Sequence, residues 1–446
     1  MGCPRVTRRR DIVGLDMTRG ALASLALAGC FMDNPAWLGV GEAASGSSSG
    51  GDAAPADGCE PLSTAPSDAI VVAPSDASVL ASAIADAGAG ATVLLADGEY
   101  VLGAESLVID TAGVTLRSQS GDPERVVLDG GASVVPLVIV RAPDVRIAEL
   151  TFTRGLTSAI QIDPTGPLGA NGVSLTGIRF IDPGTSTVDV IAAEDGSAYA
   201  DDGRIECSTF RRAAMPTAAD ACTFDSAVQV RGGRGWSIRA NTFERFGCGS
   251  PAPPTVAVRD GARDSLITHN RFVDCARAVL IGNRYSGEER VWADATCSGK
   301  LPPGHDGGLV ANNVAWVGDP QVEPDSMFSL WSACDGRVYH NTAVAVGTGY
   351  YGIEYRFDNT DARIFNNLTT DPVAARDGAF GQLQGNVELA SPNELVDMLG
   401  GDVHLAPSAT AIGRGLRTLD VPVGPDIDGE ERDDAPDAGA DEYVSP

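Results

Sequence analysis

The feature that most constrains the fold of this chain is a repeated unit in which an asparagine follows an aliphatic residue by three positions. The units are Ile238-Arg-Ala-Asn241, Ile267-Thr-His-Asn270, Val310-Ala-Asn-Asn313, Val338-Tyr-His-Asn341, Ile364-Phe-Asn-Asn367 and Leu383-Gln-Gly-Asn386. Backward alignment places Leu150, Ile178 and Ser208 in the asparagine position. Most successive positions lie 26–33 residues apart, and a period in this range indicates a solenoid.

The residues between the units predict which kind of solenoid forms. From Thr92 onward, short runs of valine, isoleucine and leucine alternate with glycine and aspartate, without helical spacing. In a parallel β-helix, coils stack about 4.8 Å apart, so equivalent asparagines form a column. Asparagine tolerates a left-handed backbone, and stacked amides can satisfy one another inside the protein. The sequence therefore predicts an all-β, parallel β-helix solenoid of about ten coils.

A short helix is predicted ahead of the strands. Ser75 or Asp76 is a suitable N-cap, and Gly88 supplies the position after the helix. One apolar stripe is formed by Leu80, Ala83, Ile84 and Ala87. A single short helix before many strands suits a cap over the open end of the stacked core.

The N-terminus has the pattern of a targeting segment. Arginines and a short apolar run precede Leu27-Ala-Gly-Cys30, which resembles a bacterial lipobox. By that resemblance, residues 1–29 are a signal peptide and Cys30 carries a lipid. A plain secretory signal is an alternative, Met17 is an alternative start, and Thr7–Ile12 is an alternative twin-arginine signal.

Residues 30–69 are predicted to form the lipidated N-terminus and a flexible tether, because residues 39–58 consist almost entirely of small and polar side chains. No later segment has the roughly 20 apolar residues of a spanning helix. We therefore expect an exported monomer that is anchored at the cell envelope, in either the inner or the outer membrane.

Export favours disulfides. Seven cysteines are left when Cys3 is removed with the signal and Cys30 is lipidated. Closeness along the chain predicts the pairs Cys207–Cys222, Cys248–Cys275 and Cys297–Cys334, with Cys59 as the odd cysteine.

The asparagine column resembles that of the right-handed parallel β-helices of the pectate-lyase-like superfamily. The resemblance covers roughly residues 70–446 and implies the fold without an activity. Two acidic segments, Asp426–Arg432 and Asp437–Tyr443, resemble the ending of many exported bacterial β-helix proteins. We expect them to close the domain. Asp426 and Asp428 are candidate calcium ligands, although an EF-hand-type loop needs more.

In this superfamily, ligands lie along one sheet, and the matching strand here precedes each asparagine unit. Period-two alternation is expected to bury Val228, Val230, Val256, Val258, Phe328, Leu330, Ile353 and Tyr355. The outward column then reads Arg141, Asp163, Arg231, Arg259, Asn283, Trp331 and Arg356. Arginine forks suit carboxylates or sulfates, and an indole suits the apolar face of a sugar ring.

The candidate ligand-binding residues are Arg231, Arg259, Trp331, Glu354 and Arg356. The long segments 211–224, 245–254 and 284–307 would wall the site. As an alternative, the arginines are solvated or paired with Glu354, Asp225 and Asp260.

Catalytic motifs of related enzymes fit poorly. The polygalacturonase motifs are absent in their usual order, and the sole lysine, Lys300, lies in an insertion. An arginine base beside Glu354, assisted by calcium, would match the pectate lyases, but nothing selects one residue. His305 beside Asp306 is a second open candidate, whereas His269 and His340 are expected to pack in turns. No histidine and cysteine cluster has zinc spacing.

The formal net charge of −28 argues against nucleic acid, which needs a basic surface. Two function classes follow. The first is a surface lipoprotein that binds an acidic polysaccharide or serves as an envelope module. The second is a lyase or hydrolase that acts on a uronate-containing glycan. The arginine and tryptophan column is common to both, so it does not decide between them.

Overall fold

The computed structural model describes residues 59, 62–74, 77–103, 106–133, 135–213, 225–247, 251–284, 289–295, 297, 301–347, 349, 351–417 and 419–445. The predicted signal peptide, Cys30, most of the tether, the N-cap candidates Ser75 and Asp76, and Lys300 lie outside these residues. Within them, no helix combines the length and the apolar character needed to cross a membrane.

Three long parallel sheets run along the solenoid, and each coil in the described residues gives one strand to each sheet in turn. The ladder sheet contains Ile70–Val72, Thr92–Leu95, Thr115–Ser118, Arg146–Ala148, Ser174–Thr176, Arg204–Glu206, Ser237–Arg239, Leu266–Thr268, Leu309–Ala311, Gly336–Tyr339, Asp361–Phe365 and Phe380–Gln384. The phenylalanine sheet contains Gly98–Val101, Val126–Asp129, Thr151–Thr153, Arg179–Ile181, Thr209–Arg211, Thr242–Glu244, Arg271–Val273, Val314–Val317, Thr342–Ala345 and Leu368–Thr369. The groove sheet contains Leu107–Ile109, Val138–Val140, Ile160–Ile162, Val188–Val190, Val228–Arg231, Val256–Arg259, Val279–Gly282, Ser326–Trp331, Tyr351–Arg356 and Val373–Arg376.

The remaining elements lie at the ends and corners. The predicted capping helix spans Ala77–Ala85, and Leu80 and Ile84 on it are buried in the core. A small parallel sheet of Ala262–Arg263, His305–Asp306 and Ala333–Cys334 forms the corner between the groove and ladder sheets. Single 3₁₀ turns span Pro123–Arg125 and Pro392–Glu394, and an antiparallel pair joins Leu395–Asp397 to Asp402–Leu405. The chain is therefore an all-β solenoid with one helix in its described part.

The interior is filled by columns of equivalent side chains. In the phenylalanine sheet, the rings of Phe152, Phe180, Phe210, Phe243 and Phe272 stack with centroids 4.6–5.6 Å apart. All five are fully buried. Period-two alternation points each ring inward, and the coil spacing then brings successive rings into contact.

The predicted asparagine ladder is confirmed. Each side-chain amide from Asn241 to Asn367 donates to the Oδ1 atom of the asparagine in the next coil, at 2.9–3.0 Å. The same amide nitrogen donates to a carbonyl of the preceding coil, as Asn270 does to Ile238 at 2.8 Å. From Asn270 onward, each Oδ1 also accepts the backbone N–H of the preceding asparagine, and Asn241 Oδ1 accepts that of Ser208, so these buried groups are satisfied on both sides.

The left-handed backbone was assigned to the wrong residue. Positive φ angles belong to the residue before each asparagine: Ala240, His269, Asn312, His340, Asn366 and Gly385, at 49–67°. The asparagine itself points inward, because the left-handed residue makes the turn and projects outward. These residues, together with Cys207, form a second column outside the ladder, which we term the corner column.

Both terminal segments pack against the corner column. Cys59 is disulfide-bonded to Cys207, and the Ser63 carbonyl accepts from Arg117 at 2.7 Å. On later coils, Asn312 donates to Pro425 O at 2.7 Å, and Leu416 N donates to Asn366 Oδ1, also at 2.7 Å. His269 Nε2 lies 3.1 Å from Pro425 O and His340 Nε2 lies 2.8 Å from Asn366 Nδ2, which agrees with the expected packing role of both histidines.

The acidic C-terminal motif organises its own turns. Asp426 is fully buried, and its carboxylate accepts the N–H groups of Asp428, Glu430 and Glu442 at 2.8–2.9 Å. Asp437 accepts from Gly413 and Tyr443 in the same manner. The expected closing role is therefore what the structure shows. The calcium candidates Asp426 and Asp428 lie close to Glu430, but the carboxylate of Asp426 already bonds the backbone.

The disulfide predictions are partly wrong. Cys297–Cys334 is confirmed. Cys207 pairs with Cys59, which was predicted to be the odd cysteine. Ser63 contacts Arg117 on an earlier coil, so Cys59 and Ser63 lie on different coils. Cys275 is a buried free thiol, so the predicted Cys248–Cys275 bond is absent. Cys222 and Cys248 lie outside the described residues.

Two substitutions at one position test the ladder. Asn270→Ala should lower the free energy of unfolding by several kcal/mol, at about 1–3 kcal/mol for each group left unsatisfied. Asn270→Asp keeps the acceptor oxygen but replaces the donor nitrogen with a second oxygen. This oxygen faces two acceptors, Ile238 O and Asn313 Oδ1, so the charged carboxylate is disfavoured and the pKa of the introduced carboxyl is raised. Its deficit should therefore be small below about pH 4 and grow as the pH rises. Chemical denaturation at several pH values measures both, and equal melting of both variants and wild type would contradict the ladder.

Cys275 should resist alkylation in the folded protein. Burial raises its pKa to about 12, so the reactive thiolate is scarce at neutral pH. Mass spectrometry should find the Cys275 peptide modified by iodoacetamide only after denaturation, and should find Cys59 linked to Cys207 without reductant. Rapid labelling of Cys275 in the native state would contradict the assigned burial.

Candidate functional site

The groove sheet brings the predicted outward residues into register. Arg231 pairs with Arg259, Gly282 pairs with Trp331, and Trp331 pairs with Arg356. Asn283 was predicted at the position that Gly282 occupies. The strand ends at Gly282, where φ is 92°, and Asn283 follows in a left-handed turn. Arg376 pairs with Arg356 and extends the column by one coil.

The predicted inward residues of these strands are all buried. The residues that alternate with them point outward, yet most of these are also buried: Gln229, Ala257, Leu280, Ser329 and Glu354 are no more than 2% exposed. Side chains and the turn segments above the sheet therefore cover its middle column. At the strand ends, Arg231, Trp331 and Arg356 are partly exposed, whereas Arg259 is buried.

Arg231 and Arg259 belong to a hydrogen-bonded cluster on neighbouring coils. Gln229 donates to Asp189 Oδ1 at 3.1 Å and accepts a hydrogen bond from Arg259. Arg231 Nη2 lies 3.5 Å from Asp189 Oδ1, and Arg259 Nη1 lies 3.5 Å from Asp260 Oδ2. The alternative of paired arginines is thus partly realised, with Asp189 as a partner that sequence analysis missed.

This cluster lines a cavity of about 330 Å³ with Asp225, Ser226, Pro254, Ala257, Leu280 and the arginines. Two buried polar atoms at the cavity, Arg231 Nε and Ser226 Oγ, have no hydrogen-bond partner among the described residues. A buried donor without a partner costs about 1–3 kcal/mol. An oxygen-bearing ligand or ordered water in the cavity would remove that cost.

Asp189 has a shifted acidity. Burial raises the pKa of its carboxyl, and the nearby Asp225 carboxylate raises it further, whereas Arg231 and the hydrogen bond from Gln229 lower it; the net shift is upward. Asp189 contacts the cavity-lining residues Gln229 and Arg231. A carboxyl group with a raised pKa beside an arginine is a typical arrangement for proton transfer.

Trp331, Glu354 and Arg356 form a second cluster. Trp331 lies two coils beyond Arg259 and the other two residues lie three coils beyond it, which places the cluster about 10–14 Å along the axis. Trp331 Nε1 donates to Glu354 at 2.9 Å, and Arg376 contacts the other Glu354 oxygen at 2.6 Å. The guanidinium groups of Arg356 and Arg277 lie 5.2 and 4.7 Å from the centre of the indole ring. Arg356 also pairs with Asp377 at 2.6 Å.

The five predicted residues therefore divide into two clusters. Glu354 lies with Trp331 and Arg376, not with Arg231 or Arg259, and the indole already contacts two guanidinium groups. Arg376 and Asp189 were missed. The strand Val188-Asp-Val190 shows the same alternation as the other groove strands and carries an acidic outward residue, which is the signal that would have identified Asp189.

The other candidate residues do not join these clusters. His305 is fully buried, with Nε2 3.1 Å from Ser265 Oγ, and burial lowers its pKa to about 4. Lys300 lies outside the described residues, as do 214–224 and 248–250 of the predicted walls. The described part of the third wall, residues 284, 289–295, 297 and 301–307, contacts Asp260 and Gly261 through Arg290, Trp292 and Gly304.

Known proteins are similar to this chain in structure only. Neither a protein-family model nor a characterised protein matches the sequence. An alginate lyase from Paenibacillus sp. FPU-7 superposes with a TM-score of 0.50 and 15% identity, over 70% of this chain and 99% of the lyase. The similarity agrees with the parallel β-helix fold that the three sheets show.

Two weaker similarities are also similarities of structure at low sequence identity. The pectate lyase Pel9A aligns at 12% identity and a TM-score of 0.40, over 84% of this chain and 96% of the lyase. PfbA, a surface adhesin of Streptococcus pneumoniae, aligns at 12% identity and a TM-score of 0.43, over 72% and 91% of the two chains. At these identities, the similarity of the β-helix fold does not extend to an activity.

The two arginines of the first cluster should differ in their effect on stability. The Arg259 side chain is 9% exposed and bonds Gln229 and Asp260, whereas that of Arg231 is 35% exposed. Arg259→Ala should lower the free energy of unfolding by about 1–3 kcal/mol, and Arg231→Ala by less than about 0.5 kcal/mol. Urea denaturation of both variants checks this, and equal losses would contradict the assigned environments.

Proposed function

We propose that this β-helix binds an acidic polysaccharide along the outward ends of its groove strands, with Arg231 and Arg259 contacting the anionic groups. The observation that carries the proposal is the cavity beside this arginine pair, with a buried Arg231 Nε–H that has no partner in the described chain. A carboxylate or sulfate oxygen would supply that partner. Charge-assisted bonds from arginine are among the stronger hydrogen bonds in proteins.

The charge of the whole protein makes the placement of these arginines meaningful. At a net charge of −28, a polyanion is repelled by most of the surface. Arg231 and Arg259 pair directly in the sheet and are therefore about 4.8 Å apart along the axis. Two adjacent guanidinium groups favour a ligand of opposite charge, and their present carboxylate partners are each 3.5 Å away.

The second cluster extends the same surface. Arg356 and Arg376 lie in register on the last groove strands, beside Trp331. A long polymer that follows the solenoid axis would meet both clusters, and a short one would reach a single cluster. The structural relatives include proteins described as alginate and pectate lyases, whose substrates are polyuronates by name.

Cleavage of such a glycan is the second candidate function, and Asp189 is the observation that favours it. An ionised Asp189 could remove the proton beside a uronate carboxylate while Arg231 neutralises that carboxylate, as β-elimination requires. A protonated Asp189 could instead donate to a leaving oxygen, as glycoside hydrolysis requires. Burial raises the pKa of the Asp189 carboxyl above its usual range, which makes its carboxylate a stronger base.

Export and anchoring complete the proposal. The two disulfides fit an oxidising compartment. A lipid on Cys30 would hold the protein at the envelope, with the tether between the lipid and Cys59. This attachment is proposed from the lipobox resemblance alone.

Binding is tested by calorimetric titration with alginate, polygalacturonate and a neutral glucan at low and high salt. We expect polyuronate binding that weakens with salt, a loss of about tenfold or more in Arg231→Gln, and no binding of the neutral glucan. Arg179→Gln, which removes an exposed arginine of the phenylalanine sheet, is the matched control. Absence of polyuronate binding by wild type would overturn the proposal.

Cleavage is tested on the same polymers by the ultraviolet absorbance of unsaturated products and by reducing-end assays. If the second candidate is correct, Asp189→Asn should abolish turnover and retain polymer affinity, because the amide preserves shape without transferring the proton. Binding without turnover by wild type would leave the binding function and remove the catalytic one.

A further inference from the structure

The insertion that follows the groove strand Val279–Gly282 forms hydrogen bonds with the backbone of one dipeptide, Asp260–Gly261, in the neighbouring coil. Asp260 N donates to Asn283 O at 3.1 Å, and Asp260 O accepts from Arg290 N at 3.2 Å. Gly261 N donates to Gly304 O at 2.8 Å, and Gly261 O accepts from the Trp292 indole at 2.8 Å. All four backbone polar groups of Asp260–Gly261 are thus bonded to the insertion or to its two ends.

The backbone conformation of this dipeptide is tightly constrained. Both residues have left-handed backbones, with φ of 62° and 83°. A Cβ atom at Gly261 would collide with the Arg290 carbonyl oxygen, so the close approach of the insertion requires glycine. The position of Asp260 is therefore defined by the insertion as well as by its own strand.

Asp260 connects the insertion to the candidate groove through its contact with Arg259. Its carboxylate is 5% exposed and faces the guanidinium of Arg259, which in turn bonds Gln229. Asp260 and Arg259 both line the 330 Å³ cavity. Arg290 reaches the residue after Arg231 as well, because its Nη1 donates to Gly232 O at 3.0 Å.

The insertion is itself fastened at two points. Arg290 forms a two-pronged pair with Asp201 at 2.6 and 3.1 Å, and its guanidinium lies 4.9 and 4.1 Å from the ring centres of Tyr199 and Trp292. The second point is the Cys297–Cys334 disulfide, which joins the insertion to the corner strand Ala333–Cys334. The other disulfide, Cys59–Cys207, lies at the corner column, away from the groove sheet.

We propose that the described part of this insertion, residues 283–284, 289–295, 297 and 301–304, positions Arg259 for ligand binding, that Arg290 is the key positioning residue, and that the Cys297–Cys334 bond makes groove affinity sensitive to reduction. This inference rests on the proposed polysaccharide function. When the disulfide opens, the insertion loses a fixed point, the hold on Asp260–Gly261 loosens, and the Arg259 guanidinium is no longer held beside Gln229. The reduction is a two-electron step that consumes one dithiol and yields two protein thiols.

The chain supplies a matched pair of variants for the test. The double change Cys297→Ser with Cys334→Ser removes the groove-side bond, and Cys59→Ser with Cys207→Ser removes the bond at the corner column. Arg290→Gln removes the Asp201 pair while both disulfides stay intact. Each is titrated with alginate and polygalacturonate at two salt concentrations, and wild type is also measured with and without dithiothreitol.

We expect the groove-side double variant, Arg290→Gln and reduced wild type to bind about tenfold more weakly. The salt dependence of binding should also become shallower, because the Arg259 contact contributes less. The corner-column variant should stay within about twofold of wild type. General destabilisation would lower the fraction of binding-competent protein without changing the salt dependence.

Hydrogen exchange gives a reading that does not depend on a ligand. The Asp260 and Gly261 amides should exchange at least about tenfold faster in the groove-side variant and in Arg290→Gln, and at the wild-type rate in the corner-column variant. If wild type binds neither polymer, the binding function fails, and the exchange rates alone decide the positioning role. Unchanged exchange, or equal loss of affinity in both disulfide variants, would overturn this inference.

Discussion

The structure depends on the need to satisfy the buried polar groups at one turn of each coil from Asn241 onward. Each ladder asparagine from Asn241 to Asn367 donates to the coil before it and to the coil after it, and from Asn270 onward its oxygen accepts an N–H and an amide from the preceding asparagine. A coil that slipped by one residue would break these bonds and would also turn its inward valines outward. The ladder therefore fixes the register of all three sheets.

That register determines what the groove sheet can present. Because equivalent positions stack, Arg231 must lie over Arg259 and Trp331 must lie over Arg356. Both terminal segments are attached to the corner column. Cys59 is bonded to it on an early coil, and the C-terminal segment is hydrogen-bonded to it on later coils. The groove sheet forms the third side of the solenoid. Its differences from coil to coil come from the outward side chains and the insertions.

Much of this arrangement could be predicted from the sequence because it follows from periodicity. The asparagine positions and the arginine column follow from a repeat of about one coil, and the inward valines follow from the two-residue period of side chains along a strand. The capping helix follows from its apolar stripe and its end residues. Spacing also fails in an informative way at Asn283, since a run of five residues does not show that the strand ends at Gly282 and a left-handed turn begins.

The contacts between distant segments could not be predicted. Closeness along the chain suggested Cys207–Cys222, but the solenoid brings residues about thirty apart into contact, and Cys59 bonds Cys207 at a sequence separation of 148. Likewise, Asp189 gains its significance only when Gln229 and Arg231 stack above it. The pKa of a carboxyl group depends on its burial and on its neighbours, and the sequence of one β-strand shows neither of them.

The central claim is that an anionic glycan binds at the Arg231 and Arg259 end of the groove sheet. Hydrogen exchange with and without polyuronate tests it most directly, because it locates the ligand on the solenoid. The account predicts slower exchange at the turns after Val228–Arg231 and Val256–Arg259, with the amides of the corner column unchanged. Protection at the corner column or on the phenylalanine sheet, with none at these two turns, would contradict it.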